Sequence, residues 1–272
     1  MTYYIEEIKE IINKYDYFII DLWGVIHDGS KPYKSALSAI SELKDKKIIF
    51  LSNSPKRSVS SQETLTSIGI DRSAYERIIT SGEYLYHNID KLANGPKYFH
   101  IGPEKNKNLF SGLNYHEVDD LSESDFLLIT GLYDDVSGIT KEYAILESAV
   151  KKNIIAICPN PDIVVVDRHG TKYLCAGAIA KEYEKIGGSV IYTGKPYIEI
   201  YNMISDYIHC KKDKIIAIGD SLTTDMKGAN NFGIDSILVT GGILQSEIKE
   251  HGIENIFNKY NSNSTYYIDY FR

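Results

Sequence analysis

The feature that most narrows the fold of this chain is a short apolar run that ends in a carboxylate. Residues 17–29 read YFIIDLWGVIHDG. Phe18, Ile19 and Ile20 suit a strand buried on both faces, and Asp21 closes it. Burying a carboxylate there is unfavourable unless its charge is used. In open parallel sheets that end of a strand is also where ligands sit. Asp21 is therefore read as a nucleophile and metal ligand whose site later segments must complete.

The segments that follow alternate. Tyr4, Ile5, Ile8, Ile11 and Ile12 recur at helical spacing and predict a short amphipathic helix before the first strand. Ala36, Leu37, Ile40 and Leu43 predict another after it. Residues 48–51 read as a second strand, ending in Ser52, Asn53, Ser54 and Pro55. A hydroxyl and an amide at a strand end, ahead of a helix start, fit either an anion cradle or an ordinary N-cap. A helix through Val59, Leu65 and Ile68, stopped by Gly69, and a strand over 78–81 complete a doubly wound α/β pattern.

The texture then changes. Residues 97–102, 126–131 and 154–158 read as strands of a second α/β unit, with helices over 142–152 and 177–186. The strand over 190–193 precedes Gly194, Lys195 and Pro196. The strand over 215–218 precedes Gly219 and Asp220, with Asp225 five residues on. These later segments rejoin the chemistry of the first unit, so the second is inserted. The expected division is a core of residues 1–82 and 188–272 and an insert of 83–187. A last strand over 237–239 leads into Thr240, Gly241 and Gly242. The polar, aromatic tail over 261–272 carries no legible pattern.

Composition excludes some partners. The 272 residues carry a net charge of −7, which argues against nucleic acid. No apolar run approaches the roughly 20 residues a membrane helix needs. The three cysteines, Cys158, Cys175 and Cys210, lack metal-ligand spacing and are read as structural in a reducing, cytoplasmic setting.

If the strands share a parallel sheet, Asp21, Ser52, Lys195, Asp220 and Asp225 converge on one rim. Three unpartnered carboxylates would repel one another. A divalent cation resolves this, and an all-oxygen site with few protein ligands suits Mg²⁺. The cation and Lys195 would hold an anion with several oxygens, a phosphoryl group. Asp21 can then attack phosphorus and form an aspartyl-phosphate.

The segments DLWGV, FLSNS, GKP and GDSLTTD resemble, in order and spacing, the four motifs of the haloacid dehalogenase superfamily. The long insert, NPD at residues 160–162 and CAGAIAKEYEKIGG before GKP resemble the cap of its class IIA, NagD-like branch. The similarity runs from about Tyr17 to Gly242. It implies a Rossmann-like core with an inserted α/β cap and Mg²⁺-dependent hydrolysis of a small phosphorylated substrate. It implies Asp21 as nucleophile and metal ligand, the Trp23 carbonyl as second ligand, and Asp220 and Asp225 as the others. Ser52 and Lys195 would bind the phosphoryl group, with Asn53 nearby. A homodimer is implied by analogy alone.

One position departs from the pattern. Phosphatases of this superfamily usually carry a second aspartate two residues after the nucleophile, as general acid and base. Here that residue is Trp23. Such help is worth about 10²–10⁴-fold, roughly 3–5 kcal/mol of barrier. Sugar and alcohol phosphates should lose most, acyl and aryl phosphates less. His27 or Asp28 can substitute, or can simply shape the turn. Asn160, Asp162 and Arg168 of the insert can contact substrate, or can form a tight turn. The missing acid leaves two rivals open: a phosphometabolite-binding protein with little turnover, and a hydrolase of a bond other than a phosphoester.

Overall fold

Continuous burial along the central strands marks them as covered on both faces, and pairing sorts the chain into two parallel sheets. The computed structural model describes residues 2–133, 139–167 and 169–272. Its strands are β1 Tyr3–Tyr4, β2 Tyr17–Ile20, β3 Lys47–Ser52, β4 Arg77–Thr80, β5 Lys97–Ile101, β6 His116–Glu117 and β7 Phe126–Ile129. They continue as β8 Ile155–Cys158, β9 Val164–Val166, β10 Lys172–Leu174, β11 Val190–Tyr192, β12 Ile215–Gly219, β13 Asp235–Val239 and β14 Tyr266–Ile268. The helices are α1 Lys34–Glu42, α2 Ser58–Ser67, α3 Ser81–Leu92, α4 Thr140–Lys151, α5 Ala176–Lys185, α6 Ile198–Ser205, α7 Lys227–Phe232, α8 Gln245–His251 and α9 Ile253–Tyr260.

The first sheet has the order β1-β14-β13-β12-β2-β3-β4 and is parallel throughout. Phe18 and Ile20 face one apolar layer with Ile8, Leu43 and Phe50. Ile19 faces the other, with Ile200, Tyr201 and Phe232. Both faces are covered, which is why these strands read as unbroken apolar runs. Strand order reverses between β2 and β12. These neighbours pair Ile20 with Ile218, so the residues leaving their ends, Asp21 and Asp220, emerge side by side at the crevice where such sheets bind ligands.

The second sheet, β11-β8-β7-β5-β6, is also parallel. Helix α3 leads into it, packing Leu85 and Ile89 against Tyr98 and Leu128. The hairpin β9–β10 stands apart as a two-stranded antiparallel ribbon.

Three expectations need correction. The residues 190–192, expected in the core, pair through β11 with β8 in the second sheet. The expected N-terminal helix is instead β1 followed by two single 3₁₀ turns, Ile8–Glu10 and Ile12–Lys14. The buried residues there, Ile5, Ile8 and Ile11, recur every third position, which matches the 3₁₀ period. The unpatterned tail supplies β14, buried between β13 and β1. Among the described residues, no helix is long and apolar enough to cross a membrane.

Candidate active site

Asp21 follows β2 directly, and its amide donates to the Ile218 carbonyl of β12 at 2.9 Å. Asp220 follows β12, and its Oδ2 accepts from the Ile243 amide at 2.9 Å. A π-turn, Leu222–Met226, swings Asp225 back under the same strand end. There Asp225 Oδ2 accepts from the Ser221 amide at 3.2 Å. Each of these three buried carboxylates offers an oxygen within 4.8 Å of the others.

Lys195 reaches them by a route the sequence does not reveal. It follows β11 of the second sheet, so only Asp21, Ser52 and Asp220 leave core strands. The Thr193 amide still bonds to Cys158 of β8 at 3.1 Å; the chain then crosses to the core. Asn53 receives it: its Oδ1 accepts from the Lys195 amide at 2.7 Å, and its Nδ2 donates to the Lys195 carbonyl at 3.1 Å. The ammonium donates to Asp21 Oδ1, to Asp225 Oδ1 at 2.7 Å and to the Leu51 carbonyl at 3.1 Å.

The electrostatics are lopsided, with one ammonium among the carboxylates. Burial would discharge Lys195, but Asp21, Asp225 and Asp162 outweigh it and hold its pKa above the ordinary value. Burial raises the Asp21 pKa despite Lys195, with Asp225 and Asp220 pushing the same way. Burial, then repulsion from Asp225, pushes Asp220 up to about 7. The trio carries more negative charge than Lys195 neutralises, and its donors are all hard oxygens. A divalent cation fits that deficit and that donor set.

A cavity of about 310 Å³ opens over this cluster. Ser52, Asn53, Trp23 and Asp162 line it together with the charged groups. Ser52 is not a helix cap, because α2 begins only at Ser58; its Oγ accepts from the Ser54 amide at 3.2 Å. Asp162 enters from the second unit, where its Oδ1 accepts from Asn53 Nδ2 at 2.9 Å.

His27 and Asp28 do not line the cavity. His27 is buried, its Nδ1 accepts from the Gly29 amide at 2.9 Å, and burial pushes its pKa down to about 4. Asp28 Oδ1 accepts from the Ser30 and Lys31 amides at 2.9 and 2.8 Å. Both shape the turn, and neither lines the cavity where a substrate or a stand-in acid would sit. Arg168 lies outside the described residues.

Two residues of the first motif, DLWGV, make contacts that sequence spacing does not show. Gly24 has φ +81°, and a Cβ on it would lie 2.1 Å from Asp220 Oδ2. Trp23 Nε1 donates to the Val166 carbonyl of β9 at 2.9 Å, tying the loop after Asp21 to the inserted unit.

The same residues fall within known family patterns. A family model described as haloacid dehalogenase-like hydrolase matches residues 18–116. A second, HAD-hydrolase-like, matches residues 192–271. The chain is 27% identical over 289 residues to a 4-nitrophenylphosphatase of Schizosaccharomyces pombe, covering 89% of each. It is 22% identical over 236 residues to a D-glycerol 3-phosphate phosphatase of Mycobacterium tuberculosis. That match covers 86% of this chain and 65% of the relative, so the chain spans less than two thirds of that protein's length. A haloacid dehalogenase-like hydrolase from Brucella suis superposes with a TM-score of 0.87 at 28% identity, covering 98% of this chain and 100% of that one. One family model takes in Asp21 and Ser52 and the other Lys195, Asp220 and Asp225, and this chain belongs to the haloacid dehalogenase-like hydrolases.

Proposed function

We propose that the chain is a Mg²⁺-dependent phosphatase of a small phosphorylated metabolite, working through an aspartyl-phosphate on Asp21. The supporting observation is the buried Asp21, Asp220 and Asp225 trio around Lys195 on the floor of a cavity. The relatives named as phosphatases point the same way.

In this reading Asp21, Asp220, Asp225 and the main-chain carbonyl of Trp23 hold the cation. A bound cation there supplies charge neutralisation for the phosphoryl oxygens. Lys195 shares that work and holds Asp21 in place, while Ser52 Oγ and the amides beside it bind the remaining oxygens. Asp21 attacks phosphorus, and water then releases phosphate. Trp23 has no acidic proton to offer a leaving oxygen, which by itself favours aryl and acyl phosphates over alcohol phosphates. It also keeps alive a second reading, a phosphometabolite-binding protein with slow turnover.

The test is a side-by-side assay with Mg²⁺ on an aryl phosphate, acetyl phosphate and a hexose phosphate. If no other group stands in for the missing acid, the hexose phosphate comes last and Trp23→Asp raises it more than the other two. Asp21→Asn should abolish all three. Phosphatase activity surviving Asp21→Asn in clean protein would refute the mechanism. Binding of phosphate esters without turnover over hours would favour the second reading.

A further inference from the structure

The proton donor that Trp23 cannot be has a candidate elsewhere in the lining of the cavity. Asp162 lies past the end of β8, in the second unit. Its backbone is fixed: the Asp162 amide donates to Asn160 Oδ1 at 3.2 Å, and its carbonyl accepts from the Gly177 amide at 3.1 Å. Gly177 admits no side chain, since a Cβ would lie 2.3 and 2.5 Å from the Pro161 and Asp162 carbonyl oxygens. The carboxyl group is thereby held over the core, where Asn53 binds its Oδ1 at 2.9 Å. The same Asn53 amide holds the Lys195 backbone. One asparagine thus sets the position of Asp162 relative to the ammonium that contacts Asp21.

We infer that Asp162 is the general acid and base of this active site, delivered from the inserted unit in place of the motif aspartate. The inference rests on the aspartyl-phosphate reading above. An Asp21 oxygen bonds to phosphorus as the bond to the leaving oxygen breaks. That oxygen keeps the electron pair and takes the proton of Asp162. The Asp162 carboxylate then accepts a proton from water, whose oxygen bonds to phosphorus as the bond to Asp21 breaks. Phosphate leaves, and Asp21 and Asp162 regain their starting states. The sum is ester plus water giving alcohol plus phosphate.

The environment supports a proton on this group. Burial raises the Asp162 pKa, against the attraction of Lys195 and the hydrogen bond from Asn53. Neither His27 nor Asp28 competes for the role, because neither faces the cavity.

A leaving-group comparison tests the inference. An alkyl phosphate needs its departing oxygen protonated, whereas a nitrophenyl phosphate does not. Asp162→Asn keeps the shape and a polar partner for Asn53 but carries no acidic proton. It should lower kcat on the alkyl phosphate by about 10²–10⁴-fold and on the aryl phosphate at least tenfold less. The alkaline limb of the alkyl pH–rate profile should vanish with it. Equal losses on both substrates would reduce Asp162 to a positioning residue and overturn the proposal, as would wild-type turnover of the aryl ester alone. Asp21→Asn separates the two claims: it should silence both substrates, and if it does not, the mechanism beneath the proposal fails first.

Discussion

Gly24 shows how tightly a single residue is constrained by its neighbours. Its positive φ is a conformation that side chains resist, and its missing Cβ leaves room for Asp220. Gly24→Ala therefore does two things at once. The backbone strain costs on the order of 1 kcal/mol, a modest loss of Tm. The larger effect is displacement of Asp220 from the carboxylate trio. On the proposed Mg²⁺-dependent reading, the expected result is a Mg²⁺ requirement at least tenfold higher for half-maximal activity, read by titrating the metal in an aryl phosphate assay. Unchanged metal dependence would show that Asp220 adjusts without cost. Gly242 crowds the same carboxylate from the other side, with a Cβ position 2.2 Å from Oδ2. Asp220 is thus gripped between two glycine-lined backbones.

At the scale of elements, the hairpin β9–β10 is the part most dependent on a tether. It belongs to neither large sheet. Trp23 reaches it through one N–H and packs its ring edge-on to His27, with centroids 6.0 Å apart. Trp23→Phe keeps an aromatic ring and removes the donor. A lost hydrogen bond of about 1 kcal/mol should speed amide exchange in the hairpin several-fold and raise KM more than it lowers kcat. No change in exchange would mean packing alone holds the ribbon. The elements differ in how far the sequence announces them. β2, β3, β12 and β13 are legible because burial on both faces writes continuous apolar runs. Asp21 and Asp220 are legible because each follows such a run, and Asp225 because of its spacing from Asp220. β14 is not, because three residues in a polar tail owe their burial to pairing with β13 and β1. The origin of Lys195 is also hidden: an apolar run does not say which sheet it joins, and β11 joins β8. The ring of Trp23 gives no hint of its partner 143 residues away.

For the whole molecule, acid works in two directions: the raised carboxylates Asp21, Asp220 and Asp162 favour the folded state as pH falls, and one buried histidine opposes them. His100, on β5, is buried, with Nε2 against Thr130 Oγ1 at 2.7 Å and no partner for Nδ1 among the described residues. Burial pushes its pKa down to about 4, with Lys107 adding to the effect and Glu104 opposing it. The unfolded chain takes up that proton near the reference value of about 6.5. Between these values the unfolded state binds more protons, so stability falls as pH falls. The histidine accounts for about 2 kcal/mol lost between pH 7 and 4.5. Urea unfolding of His100→Gln should lack that loss, and a pH dependence identical to that of the wild type would rule the histidine out as its source. The sheet order has a consequence in time. Asp21 and Asp220 stand on adjacent strands, yet the chain between them includes the whole second sheet. A ribosome finishes β2 long before it starts β12. Throughout that interval Asp21 ends a strand with a bare edge and lacks the two carboxylates that later stand beside it. The carboxylate trio comes into being only once the late strands are made.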